Sequence, residues 1–177
     1  KDGKGCTGSV AVTITQPITL AATTAVVGFT CNTANGKVAG TVTVNVTTGT
    51  GTLPYEYSFN GQGFGSNNVL TLNDNGADQP YTYEVRDAKG CIISGSGTLL
   101  RLNPPTDLTF AAAAITCNDV VTTVTVTATN GVGALQYETI APSPVIIAKQ
   151  TSNIFAGLAP GTYMFRVTDA NGCYYTE

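Results

Sequence analysis

The residues with most chemistry to offer are five cysteines, and their placement is regular. Cys6, Cys91 and Cys173 each follow a glycine at the end of a turn-like stretch, whereas Cys31 and Cys117 stand inside Thr-Cys-Asn triplets. A thiol can act as nucleophile, metal ligand or half of a disulfide. Nucleophilic work needs an adjacent base, and the chain contains no histidine, so Ser-His and Cys-His dyads and His-containing metal sites are excluded. The carboxylates are scattered over separate turns, without the convergent acid, base and nucleophile of a catalytic centre. No catalytic residue is assigned, and the chain reads as a non-enzyme. Repeated cysteines in a Thr-rich, Lys-poor chain point instead to an oxidising, extracytoplasmic setting and to structural disulfides.

Three arrangements of those cysteines stay open. In-module bridges, Cys31 to Cys91 and Cys117 to Cys173, would close loops of similar length in two copies of a repeat, each restricting the unfolded chain by roughly 4 kcal/mol. Sandwich topology supplies a rival to this leading arrangement. It sets Cys31 at one pole of its module and the hairpin cysteine at the other, so that in stacked modules Cys31 faces Cys173 of the next one. The third arrangement leaves free, buried thiols.

A second candidate is Asn73-Asp74-Asn75-Gly76-Ala77-Asp78, whose oxygen density suits a calcium loop through Asp74, Asn75 and Asp78. It lacks the spacing and closing Glu of an EF-hand, and the second copy has Ala156-Gly157-Leu158-Ala159 there. A solvated turn is expected, with calcium the one cofactor candidate and otherwise none. Asp87 and Asp169 read as turn residues bonded to nearby amides. Asn45-Val46-Thr47 matches a glycosylation sequon within a strand and is expected to stay unmodified. Glu56 and Glu138 read as charges at strand edges that discourage edge-to-edge association.

The elements that must position these residues come from one stretch that occurs almost three times. It runs from Tyr81 to Cys91, returns from Tyr163 to Cys173, and is already ending at Asp2 to Cys6. Tyr81, Tyr83 and Val85 alternate with Thr82, Glu84 and Arg86, the period of a half-buried strand. Asp-Ala-Lys-Gly and Asp-Ala-Asn-Gly then supply a tight turn. Residues 1–17 read as the last strand of a preceding repeat, with Ser9 to Thr15 alternating up to Gln16-Pro17. Residues 18–103 form one module, and 104–177 a second that lacks its final strand. Thr41 to Val46 is a strand with Val42, Val44 and Val46 inward. Thr41 to Glu56 matches Thr123 to Glu138 at an offset of 82 without a gap. Asn103-Pro104-Pro105 is a stiff junction.

About seven short strands per module, with frequent turns, predict an all-β fold of tandem immunoglobulin- or fibronectin-like antiparallel β-sandwich modules. Leu158-Ala-Pro-Gly-Thr-Tyr163 resembles the corner before the penultimate strand of such sandwiches. Only 11% of residues are charged, too few to build long amphipathic helices. A net charge of -3 without a basic cluster argues against nucleic acid and anionic membranes as partners. No apolar run suggests membrane insertion.

Thr-Cys-Asn, a Thr/Val strand, Gly-x-Gly-x-x-x-Tyr, Leu-x-x-Gly-Thr-Tyr and Val-x-Asp-Ala-x-Gly-Cys, followed by a closing Pro, resemble in that order the SprB-type repeat of giant Bacteroidetes surface and gliding adhesins. The resemblance covers nearly the whole chain. It implies export by the type IX secretion system and display on the bacterial cell surface, as shaft or spacer of an adhesin serving adhesion or gliding motility. Its implied partners are neighbouring repeats of the same chain, surface polysaccharide, and the secretion or motility machinery. The first module departs from the pattern, with Gln79-Pro80 where the second has Pro160-Gly161. The alternative function is a carbohydrate- or protein-binding sandwich, for which Tyr57, Phe64, Tyr174 and Tyr175 are the candidate exposed aromatics.

Overall fold

The computed structural model describes residues 3–13, 18–115, 120–142 and 147–177. Every regular element among them is a β-strand, as the Thr/Val alternation requires, and no helix is long and apolar enough to cross a membrane. The first half carries β1 (Ala22–Val27), β2 (Thr30–Cys31), β3 (Lys37–Val38), β4 (Gly40–Val46), β5 (Glu56–Phe59), β6 (Val69–Leu72), β7 (Gln79–Arg86) and β8 (Ile92–Leu99). The second carries β9 (Asp107–Ala112), β10 (Thr122–Thr129), β11 (Gln136–Ala141), β12 (Ile154–Leu158), β13 (Met164–Thr168) and β14 (Tyr174–Thr176).

Each half consists of two three-stranded antiparallel sheets. Orders β1-β4-β6 and β5-β7-β8 in the first half are matched by β9-β10-β12 and β11-β13-β14 in the second. The first core draws Val42 and Val44 from β4 against Phe59, Tyr81, Tyr83, Val85 and Leu99 from the facing sheet. The second draws Leu108, Val126, Phe155 and Leu158 against Tyr137, Phe165 and Val167. Val42 and Val44 of β4 and Tyr81, Tyr83 and Val85 of β7 are therefore buried, as alternation on a half-buried sheet dictates, while Val46, also expected inward, is half-buried against the same core. On β8, Gly95 and Gly97 sit opposite Tyr83 and Tyr81. A Cβ at either glycine would stand within 2.6 Å of the facing ring, so the absence of side chains makes room for the aromatics. The tyrosine corner is present: the Tyr163 hydroxyl donates to the Ala159 carbonyl at 2.9 Å.

Among the described residues the first half carries eight strands and the second six, close to the seven expected, arranged in each half as two three-stranded sheets with the small β2–β3 hairpin added to the first. Several expectations need correction. Ser9 to Thr13, expected as a strand, has no ladder partner, and Val10 and Val12 are 88% and 79% exposed; Ile14 to Pro17 lie outside the described residues. Alternation specifies a strand only where a neighbouring edge takes up the backbone hydrogen bonds. The closing strand of the second half is present in part, as β14.

The gapless match also fails, by two residues. Val44 and Val126 do correspond, because each exchanges the same bonds with an asparagine, Asn68 and Asn153. Tyr57, however, faces Val85 and Tyr137 faces Val167, so Tyr137 is the counterpart of Tyr57 and not of Tyr55. A two-residue slip returns every side chain to its original face, which is why the hydrophobic pattern could not reveal it.

Candidate functional site

The site with the most built-in chemistry lies where the two halves meet. Cys31, at the end of β2, is bonded to Cys173, which follows the β13 turn, across 142 residues of sequence and with Cα atoms 4.8 Å apart, inside the range a disulfide can span. Cys173 is 0% exposed and counts among the residues of the first core. The in-module pairings Cys31 to Cys91 and Cys117 to Cys173 are thus overturned. The reason is topological: β2 and the β7–β8 turn lie at opposite poles of the first half, whereas the β13–β14 turn of the second half abuts β2. Cys91 is exposed and outside any disulfide, Cys6 is exposed, and Cys117 lies outside the described residues.

Both sides of this bond are preorganised by local sequence. On the β2–β3 side, Asn32 Oδ1 accepts from the N–H groups of Ala34 and Gly36, and Asn35 takes a left-handed φ of 61°, a conformation Asn tolerates better than most residues. The turn thereby aims the Asn35 amide at β14. Its Nδ2 donates to the Tyr174 carbonyl at 2.8 Å and its Oδ1 accepts from the Tyr174 N–H at 2.9 Å, so one side chain pairs with the strand edge as a neighbouring peptide group would. The Cys31 N–H donates to the Asn171 carbonyl at 2.8 Å. Gly172 lies beneath, where a Cβ would come 3.0 Å from the Cys31 carbonyl.

On the other side, Asp169 fixes the turn that carries Cys173. Its Oδ1 accepts from the N–H groups of Asn171 and Cys173, and its Oδ2 from that of Val132. Asp87 repeats this with Lys89, Cys91 and Thr52. Both aspartates are therefore the turn residues their Asp-Ala-x-Gly-Cys context suggested. Burial alone would raise the Asp87 pKa, but the N–H donors of Cys91, Lys89 and Thr52 outweigh it and hold the carboxyl below the usual 3.8.

Asp74, Asn75 and Asp78 do not converge. Asp74, with a side chain 1% exposed, receives the Lys37 ammonium at 2.6 Å and the Leu102 N–H at 3.1 Å. Asn75 accepts from Ala77, and Asp78 from the Arg101 N–H. Burial would raise the Asp74 pKa, yet the Lys37 and Leu102 bonds bring it below 3.8. Lys37 belongs to the hairpin that carries Cys31, and Leu102 begins the junction between the halves. Asp74 thus ties both to the first half. Beyond Leu102, the Asn103 carbonyl accepts from Gly131, and the Thr106 N–H donates to Thr129, fastening the proline junction to the second half.

The remaining candidates are engaged elsewhere. Glu56 sits on edge strand β5 as expected, but its carboxylate is ion-paired with Arg86 on β7, whose guanidinium lies 4.3 Å from the Phe64 ring. Glu138 stands 3.6 Å from Arg166, which stacks 4.6 Å from the Tyr174 ring. Tyr57, Phe64, Tyr174 and Tyr175 are all half-buried and form no exposed aromatic patch. The Asn35 clasp and the Lys37–Asp74 pair were missed by sequence reasoning; Asn35-Gly36 signalled a turn but not what it would grip. No family model matches this chain, and no curated protein matches it.

Proposed function

We propose that this chain is a segment of the shaft of a long extracellular adhesin: tandem immunoglobulin-like modules that transmit force and hold a distal binding region away from the cell. The observation that carries the reading is the Cys31–Cys173 bond, which joins one half to the next where an enzyme or ligand-binding domain would need no such bond. Tension applied at the two ends would run through residues 1 to 31, cross the sulfur bridge and leave through residues 173 to 177. The chain between the cysteines is bypassed, and the load falls on β1, with Leu20 and Phe29 beside it, and on β14. The resemblance to SprB-type repeats supports a bacterial cell surface, type IX export, and adhesion or gliding as the setting.

Single-molecule pulling by the two termini tests the mechanical role. With the bridge intact, unfolding should withhold the chain between the cysteines, a sequence separation of 142, roughly 480 Å of contour at about 3.4 Å per residue, and a reductant should release it. Equal extension with and without reductant would sink the proposal. The half-buried state of the four candidate aromatics gives the binding-module reading no comparable support.

A further inference from the structure

Asparagine is chemically least stable when glycine follows it, because the glycine nitrogen approaches the side-chain carbonyl carbon with no Cβ in the way. The chain carries five such pairs, at Asn35, Asn60, Asn75, Asn130 and Asn171. What holds each amide differs. Asn60 Oδ1 accepts from the Thr82 N–H at 2.9 Å and Asn75 Oδ1 from the Ala77 N–H at 3.0 Å, both within the first half. Asn130 Nδ2 donates to the Thr106 hydroxyl at 3.0 Å. Among the described residues, only the Asn35 amide reaches from one half to the other, with both of its polar atoms taken by Tyr174. The turn itself demands the labile pair. Residue 35 sits at a left-handed φ of 61°, which asparagine tolerates, and a Cβ on residue 36 would come 3.0 Å from Asn32 Nδ2.

We infer that Asn35 is a deamidation site gated by the joint: it keeps its amide while the halves are clasped, is converted to aspartate or isoaspartate once they part, and then no longer lets them close as before. In the clasp Nδ2 and Oδ1 are held against β14, while the Gly36 N–H donates to Asn32 Oδ1 at 2.9 Å. Neither the attacking nitrogen nor the carbon it must reach is free to turn toward the other. Parting the halves removes the two Tyr174 bonds, and two hydrogen bonds of ordinary net strength slow ring closure roughly 30-fold.

The covalent step needs only water. The Gly36 nitrogen gives its proton to solvent and bonds to Asn35 Cγ; the Cγ–Nδ2 bond breaks, and the departing nitrogen takes a proton from solvent and leaves as ammonia. Water then opens the cyclic imide at either carbonyl, giving aspartate or isoaspartate. Aspartate at this position has no N–H for the Tyr174 carbonyl and sets a negative charge against it. Isoaspartate also reroutes the main chain through the turn that carries Cys31. Opening of the joint is thereby recorded in the covalent structure.

This gate rests on the stapled-module reading but not on where the filament works. The full chain is aged in mildly alkaline buffer, oxidised in one arm and under reductant in the other, and both arms are peptide-mapped with free thiols alkylated. Asn60 and Asn75 serve as internal clocks, since their bonds lie inside the first half. The expected result is slow conversion of Asn35 in the oxidised chain and a rise of roughly 30-fold under reductant, with Asn60 and Asn75 unchanged. Asn35 converting equally fast in both arms, or rising only in step with the two clocks, overturns the gate. A chain carrying Asn35→Asp, reduced and then reoxidised, should regain the Cys31–Cys173 bond more slowly than the parent; equal recovery would show that conversion does not hinder closing. The oxidised map also reports the Cys31–Cys173 bond. Its absence would count against the stapled-module reading, whereas an unprotected Asn35 beside an intact bond would count against the gate alone.

Discussion

At the scale of single residues, the two aspartates that cap the Gly-Cys turns decide whether the cysteines are presented at all. Asp169→Ala removes the acceptor for three backbone N–H groups, and losing charge-assisted bonds of this kind should cost about 2–4 kcal/mol. Urea denaturation would measure it, with Asp169→Asn expected to lose less because one amide oxygen remains. An alanine variant as stable as the parent would show that the turn forms without its cap. Acid should act through the same chemistry. Asp87 and Asp74 both have folded-state pKa values below 3.8, so their contribution is present above the unfolded value and disappears as pH falls through the lowered folded one. Stability should accordingly drop on acidification below about pH 4, and a double Asp74→Asn, Asp87→Asn variant should show a shallower acid limb in thermal melts across pH. The turn role of the aspartates was legible because Asp-Ala-x-Gly-Cys repeats. The grip of Asp74 on Lys37 and Leu102 was not, since those partners are distant in sequence and a loop rich in Asp and Asn looks the same whether it binds metal or backbone.

At the scale of elements, β7 and β8 show how composition becomes packing. Two tyrosines on β7 lie over two glycines on β8, and a Cβ at Gly95 would meet the Tyr83 ring at 2.5 Å. Gly95→Ala should therefore destabilise the first half by about 1–3 kcal/mol through overpacking. Gly63→Ala is the control, because nothing lies within 4 Å of a Cβ there; equal melting temperatures for the two variants would contradict this account of the pair. Strand identity was readable for β4, β6 and β7, where alternation and turn residues agree. Their register was not: a two-residue slip of β11 against β13 preserves every inward position. Val10 and Val12 teach the complementary lesson, since their alternation is as clean as that of β4 yet no ladder forms there.

At the scale of the whole molecule, the joint is fastened at several points whose partners lie on opposite halves or on the junction between them. The sulfur bridge closes the largest loop, and constraining 142 residues of unfolded chain is worth roughly 5 kcal/mol on the chain-entropy estimate. Cys173→Ser should separate the melting of the two halves and raise the radius of gyration by small-angle scattering, while each core keeps its β signature by circular dichroism. An unchanged scattering profile would mean that the Asn35 clasp and the proline junction suffice to hold the joint. The sequence supplied the cysteines and the topological reason for a bond across the joint, but not the choice among pairings, which depends on which turn of the second half abuts β2. A peptide map of the purified, non-reduced chain, with free thiols alkylated before digestion, tests that choice most directly. The account predicts a Cys31–Cys173 linked peptide together with alkylated Cys91; a Cys31–Cys91 peptide would contradict it.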